Sequence, residues 1–132
     1  MDLLAQLTQV GTVSQCDFQK KFARMMACPE TYFILVIEDV ATKSIVASAT
    51  LLVEQKFIHE CSKRGHIEDV IVDSAYRGRG LGKCLIEALV RMGKHLGCYK
   101  ITLDCRDDKV GFYQKIGFNV QNNMMYVRFD GR

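Results

Sequence analysis

Arg77-Gly78-Arg79-Gly80-Leu81-Gly82 stands between an apolar run, residues 65–72, and an amphipathic one, residues 80–96. Three glycines alternate with bulkier residues where a strand must turn into a helix. Such a turn leaves backbone N–H groups without partners at the positive end of the helix dipole, a ready site for a diphosphate. Glycine lets the backbone approach the anion with no Cβ in the way, and Arg77 and Arg79 add charge. Two nucleotide fingerprints fail here. The P-loop pattern G-x-x-x-x-G-K-[ST] breaks because Cys84 follows Lys83 and the glycine spacing is wrong; for G-x-G-x-x-G the third glycine comes too soon.

Outward from the turn, the pattern predicts a mixed α/β (α+β) layer structure in a single domain. A short helical stripe holds Leu3, Leu4 and Leu7, with Gly11 as its stop. Ser14 is the expected N-cap of a helix through about Ala27, with Phe18, Phe22, Met25 and Met26 on one face, ended by Cys28-Pro29. Strands follow at 32–37 and 45–53 as a hairpin, a basic connection at 54–64, and a strand at 65–72. The clearest helix, 80–96, carries Leu81, Leu85, Leu89, Met92 and Leu96 on one face, with Gly97 beyond it. A strand at 99–105, a short helix at 109–116 and two strands at 118–120 and 124–129 around a polar turn complete the chain.

With 132 residues and 48% hydrophobic content the chain can bury a sizeable core. Its formal charge of +3 is spread along the sequence, which points away from nucleic acid while allowing a local anion site. No apolar run is long enough to span a membrane, and no secretion-signal pattern opens the chain. None of the six cysteines lies in C-x-x-C spacing, and most sit in apolar patterns. A reducing, cytoplasmic setting with no metal site is the resulting expectation.

Glu68 and Asp69 are adjacent in an apolar strand. Strand neighbours face opposite sides, so regular geometry would send one carboxylate into the core. A bulge, a cleft or a strand end is expected instead, the alternative being an edge strand with both groups in water. Asp104 shares a strand face with Thr102, either lining a cleft or meeting water at the strand end. Tyr113 on its own reads as packing and Arg128 as a surface arginine.

The glycine turn, its preceding strand and following helix, and Gly111-Phe112-Tyr113-Gln114-Lys115-Ile116-Gly117-Phe118 together resemble the Gcn5-related N-acetyltransferase superfamily. Lys56-Phe57-Ile58-His59, His66-Ile67-Glu68-Asp69-Val70 and the stretch from Gly97 through Cys105 resemble, within it, the glucosamine-6-phosphate N-acetyltransferase family. The likeness runs from about Leu4 to Phe129. It implies a mixed, mostly antiparallel sheet flanked by helices, with two central strands splayed around acetyl-CoA. Arg77, Gly78, Arg79, Gly80, Leu81, Gly82 and Lys83 would hold the pyrophosphate. Val70, Ile71 and Val72 would pair with the pantetheine arm, with a backbone donor for the thioester carbonyl. Tyr113 would hydrogen-bond the departing thiol and protonate it.

The resemblance also implies an amino-sugar phosphate site made by Glu68, Asp69, Lys56, Phe57, Ile58, His59, Tyr99 and Lys100, with Thr8 as a further contact. Asp104 would lie near the amino group as general base. Arg128 would reach the sugar phosphate from the partner of a homodimer. The implied reaction gives N-acetylglucosamine 6-phosphate and CoA by direct attack in a ternary complex, on the route to UDP-N-acetylglucosamine. A thiol intermediate on Cys105 is disfavoured, since no histidine stands beside it in sequence. The alternatives are a protein or polyamine N-acetyltransferase of the same fold and a non-catalytic CoA-binding module. Two departures from the resemblance stand out: the family's N-terminal strand is expected to be absent, the chain being either trimmed or naturally short there, and Arg79 stands where glutamine or lysine is common.

Overall fold

The computed structural model describes residues 1–131. In chain order these form α1 (Asp2–Ala5), α2 (Gln15–Met26), β1 (Tyr32–Asp39), β2 (Ser44–Gln55), the one-turn α3 (Ile58–Cys61), β3 (Lys63–Val72), α4 (Leu81–His95), β4 (Cys98–Leu103) and α5 (Val110–Gln114). Short 3₁₀ turns at Ser74–Tyr76 and Asp107–Lys109 precede α4 and α5. The sheet order is β1-β2-β3-β4. The first two pairings are antiparallel and β3 with β4 is parallel, joined by the α4 crossover. This is the mixed, mostly antiparallel, helix-flanked sheet expected.

Every second residue of β2 sinks into the core. Ala47, Ala49, Leu51 and Val53 are buried and meet Leu85, Ile86 and Leu89 of α4 and Ile67 of β3. The face of α4 that packs is therefore rotated from the leucine stripe of the sequence: Ile86 and Gly93 are buried, while Leu81, Met92 and Leu96 are partly covered. Gly93 shows why. A Cβ there would strike the Ile101 side chain, so the absent side chain sets how closely α4 lies on β4. Ser14 caps α2 as expected, accepting from the Asp17 amide at 3.0 Å. The apolar face of α2 stays uncovered, with Phe18 stacked on Phe22 in the open.

Three sequence expectations need correction. Residues 118–120 and 124–129 form no strand; Tyr126, Val127 and Phe129 are largely exposed. Their apolar pattern is real, but a strand needs a neighbour for its N–H and C=O groups, and this segment pairs with none. β4 stops at Leu103, which leaves Asp104 just past the strand end. Most of the six cysteines sit in apolar patterns, yet five of them are exposed and Cys98 alone is half-buried, so the pattern does not place them in the core.

Candidate functional site

The sheet opens at one point. β3 pairs with β4 only from Lys63↔Cys98 to Ile67↔Leu103, whereas it pairs with β2 as far as Val72↔Ala47. Among the described residues no strand pairs with the β4 side of β3 from Glu68 to Val72, and Val70, Ile71 and Val72 line that gap. The gap begins at the expected irregularity. One residue of β2, Ala49, opposes both Asp69 and Val70 in the register, and Asp69 has a φ of 52°. Strict alternation would have buried Asp69 with Gly65, Ile67 and Ile71; the bulge turns both Glu68 and Asp69 to solvent.

The glycine turn closes one end of the gap. Gly80 is the N-cap of α4 at φ 77°, and Gly78 has φ 78°, a region open to glycine and costly for other residues. A Cβ at either would meet nothing within 4 Å, so the space over the turn is open. Cys84 makes the first intrahelical bond, to the Gly80 carbonyl at 3.1 Å, which leaves the amides of the first turn to an outside acceptor. Gly82 sits where a Cβ would lie 3.6 Å from Val72 and 3.5 Å from Phe112, so the turn, the open strand edge and α5 converge. Of the two arginines, Arg77 bonds back to the Val72 carbonyl at 3.3 Å, and Arg79 lies over the Tyr76 ring, 4.9 Å from its centre. Tyr76 in turn donates to Asp39 at the end of β1. That bond holds the Asp39 carboxyl below its usual range and lifts the Tyr76 phenol. Lys83 is exposed, 3.8 Å from Glu87 on the next turn.

Tyr113 projects from α5 between Phe112 and Phe118, edge-on to both at 5.0 and 5.9 Å. Burial, and then the nearby Cys105, push its phenol up, so it keeps its proton. The Cys105 thiol is pushed up as well, by burial and then by Asp107, Asp104 and Asp108. A thiol held protonated by carboxylates is a poor nucleophile, which agrees with setting aside a covalent Cys105 intermediate.

Glu68 and Asp104 meet at the other end, through a residue the sequence reading passed over. Nε2 of His66 lies 3.2 Å from Glu68 Oε1 and 3.5 Å from Asp104 Oδ2, and its Nδ1 is 2.6 Å from Thr102 Oγ1. His66 and Thr102 are register partners across β3 and β4. The signal available beforehand was parity, since Arg64, His66 and Glu68 fall on one strand face.

The turn after β2 also joins this end. His59, Glu60 and Cys61 all have positive φ, between 50° and 61°, a left-handed turn that strains non-glycine residues. It places the His59 ring on Tyr99, with centres 4.1 Å apart, and Lys100 Nζ lies 5.5 Å from the Tyr99 ring centre. Phe57 and Ile58 are exposed. Lys56 and Arg64 both pair with Glu54, and Lys63 donates to the Leu96 carbonyl at 3.4 Å, so these cations are already engaged. Thr8 is exposed just past α1, a helix that contacts β2 and β3. Arg128 lies in the exposed C-terminal segment, 3.4 Å from Asp130. Among the described residues no group of His, Cys, Asp or Glu is arranged to hold a metal, and no helix is long and apolar enough to cross a membrane.

Comparison with known proteins gives a consistent picture. The model of the acetyltransferase (GNAT) family matches residues 2–118. A probable glucosamine 6-phosphate N-acetyltransferase of Drosophila melanogaster is 41% identical over 98% of this chain, which spans 60% of that protein's length. The glucosamine 6-phosphate N-acetyltransferase of Arabidopsis thaliana is 39% identical, with 98% of this chain and 87% of the relative covered. The crystal structure of the Arabidopsis enzyme superposes with a TM-score of 0.95 at 40% identity, covering 98% of this chain and 88% of that one.

Proposed function

Since this chain belongs to the acetyltransferase (GNAT) family, we propose that it transfers the acetyl group of acetyl-CoA to the amine of glucosamine 6-phosphate. The observation that carries this reading is the gap between β3 and β4, with an anion-binding helix N-terminus at one end and paired carboxylates at the other. The substrate follows the names of relatives about 40% identical over nearly the whole chain.

The amides of residues 78–83 take the pyrophosphate, and the unpaired edge at Val70, Ile71 and Val72 takes the pantetheine arm, with the Val70 amide donating to the thioester oxygen. Asp104 accepts a proton from the sugar ammonium, directly or through water. The freed amine attacks the thioester carbon. The tetrahedral intermediate collapses as the C–S bond breaks: Tyr113 gives its proton to the departing thiolate, the nitrogen loses its second proton to water to become the amide, and Tyr113 is reprotonated from that water. No covalent enzyme intermediate forms.

Glu68, Asp69 and the turn holding Lys56, Phe57, Ile58 and His59 hold the sugar, with Tyr99, Lys100 and Thr8. Because Lys56 and Arg64 share the Glu54 carboxylate, the phosphate depends more on Lys100 and on an Arg128 supplied by a second copy. The apolar, exposed C-terminal segment and the edge position of β4 favour that homodimer. One domain in the cytoplasm, on the route to UDP-N-acetylglucosamine, completes the proposal.

The test is CoA release from acetyl-CoA with glucosamine 6-phosphate, unphosphorylated glucosamine and a lysine peptide as acceptors. Turnover confined to the phosphosugar is the expected result. Turnover on the peptide instead would replace the sugar with a protein substrate and leave the fold assignment intact.

A further inference from the structure

β3 and β4 carry two columns of polar side chains on the face away from α4. Arg64 stands opposite Lys100, and His66 opposite Thr102. The next residues along, Glu68 and Asp104, lie where the ladder has ended, and His66 bridges them with side-chain contacts alone. The His66 side chain is only 17% exposed.

An ionised carboxylate accepts and cannot donate, so a hydrogen on Nε2 is the arrangement that suits a nitrogen 3.2 Å from Glu68 and 3.5 Å from Asp104. Thr102 suits either charge state of the ring. Its hydroxyl donates to Nδ1 of the neutral ring; beside the imidazolium it accepts, and its own proton turns to the Gly65 carbonyl 3.5 Å away.

We propose that His66 is a positioning residue for acetyl transfer, its Nε2–H holding Glu68 and Asp104 as one cluster across the opening of the sheet; this rests on the function proposed above. Asp104 needs such a tether because it lies past the last residue of β4, where no backbone ladder fixes it. Two neighbouring carboxylates repel, and a shared N–H offsets that. His66 engages one oxygen of each, so the second oxygen of each is the one an acceptor amine meets. Of the cations around the ring, Arg64 is paired with Glu54, Lys100 lies over Tyr99 and Arg106 bonds Asp108. Asp107 and Asp108 follow on the Asp104 side.

Nitrogen-15 NMR of the His66 ring in the wild type and in Asp104→Asn tests the contact without any turnover. The Nε2–H tautomer or the imidazolium, with a resonance that moves in Asp104→Asn, is expected. An Nδ1–H ring, or one indifferent to Asp104→Asn, overturns the proposal whatever the activity. Kinetics of His66→Phe and His66→Gln test the consequence. His66→Phe should lose about a hundredfold in kcat, the scale of a misplaced reacting group, with KM for acetyl-CoA unchanged. His66→Gln, which keeps a donor, should recover most of the loss. A folded His66→Phe with near-normal kcat, or a Gln variant no better than Phe, would reduce His66 to packing. A wild type silent toward glucosamine 6-phosphate, with the ring response intact, would remove the substrate assignment and support the bridge.

Discussion

The two ends of the groove are built in opposite ways. The end at Arg77 to Lys83 is backbone: a few consecutive residues, two glycines at positive φ and a helix start. The end at Glu68 and Asp104 is side chain: groups from two strands, joined through a histidine and a threonine 36 residues apart. A site made of amides tolerates side-chain replacement and fails when the backbone is disturbed. A site made of side chains behaves the other way round. Substitutions at the two ends should therefore separate KM for acetyl-CoA from kcat.

The largest effect belongs to Asp104. If it takes the amine proton, Asp104→Asn lowers kcat by about 10²–10⁴-fold, the range of general base catalysis, with acetyl-CoA binding intact. Steady-state kinetics with each substrate varied would show it. Near-normal turnover would transfer the base to Glu68 and undo the assignment of that end.

Tyr113 tests where the two ends meet. Tyr113→Phe keeps the ring between Phe112 and Phe118 and removes the hydroxyl proposed as the acid, so a loss in kcat of about a hundredfold is expected. The sign of the pH dependence follows from burial. A phenol pushed up stays protonated past the ordinary tyrosine value of about 10. Wild-type kcat should hold through that pH and fall only above it, and the fall should be missing from Tyr113→Phe.

At the backbone end, Gly80→Ala should act through conformation alone. Nothing lies within 4 Å of the added Cβ, but φ is 77°. Holding alanine there costs about 1–2 kcal/mol, which predicts KM for acetyl-CoA up by roughly tenfold and kcat little changed. Arg79→Ala, which removes a side chain stacked on Tyr76, should raise it less. The reverse order would mean that charge, rather than amide geometry, holds the cofactor.

The same contrast explains what could be read in the sequence. The glycine turn, α4 and the first four strands are local patterns, and they were legible. So was the irregularity at Glu68-Asp69, because adjacent carboxylates in an apolar strand violate alternation. His66 was not, because its partners follow from the register of β3 with β4, which no local window contains. Nor was the left-handed turn at His59, Glu60 and Cys61, since none of these is glycine and propensity argues against it. Residues 124–129 mislead in the opposite sense: their composition spells a strand, yet pairing, not composition, makes one.

The smallest effect sharpens the comparison between pairs that position and pairs that only stabilise. Glu54 joins β2 to β3 through Arg64 and also pairs with Lys56 just past β2, and the hydrogen bonds of both hold its carboxyl below the usual glutamate range. A carboxyl lowered on folding stabilises the protein above its unfolded value of about 4.3. That contribution fades as pH falls through the lower folded value. The pair is partly exposed and screened, so the gain is below ~1 kcal/mol. Glu54→Gln should therefore lower Tm slightly at neutral pH, converge with the wild type in acid, and leave kcat alone. If instead it raised KM for the phosphosugar while sparing stability, the Glu54 cluster would belong to the substrate end. If it lowered that KM, Lys56 and Arg64 released from Glu54 would be phosphate ligands held in reserve.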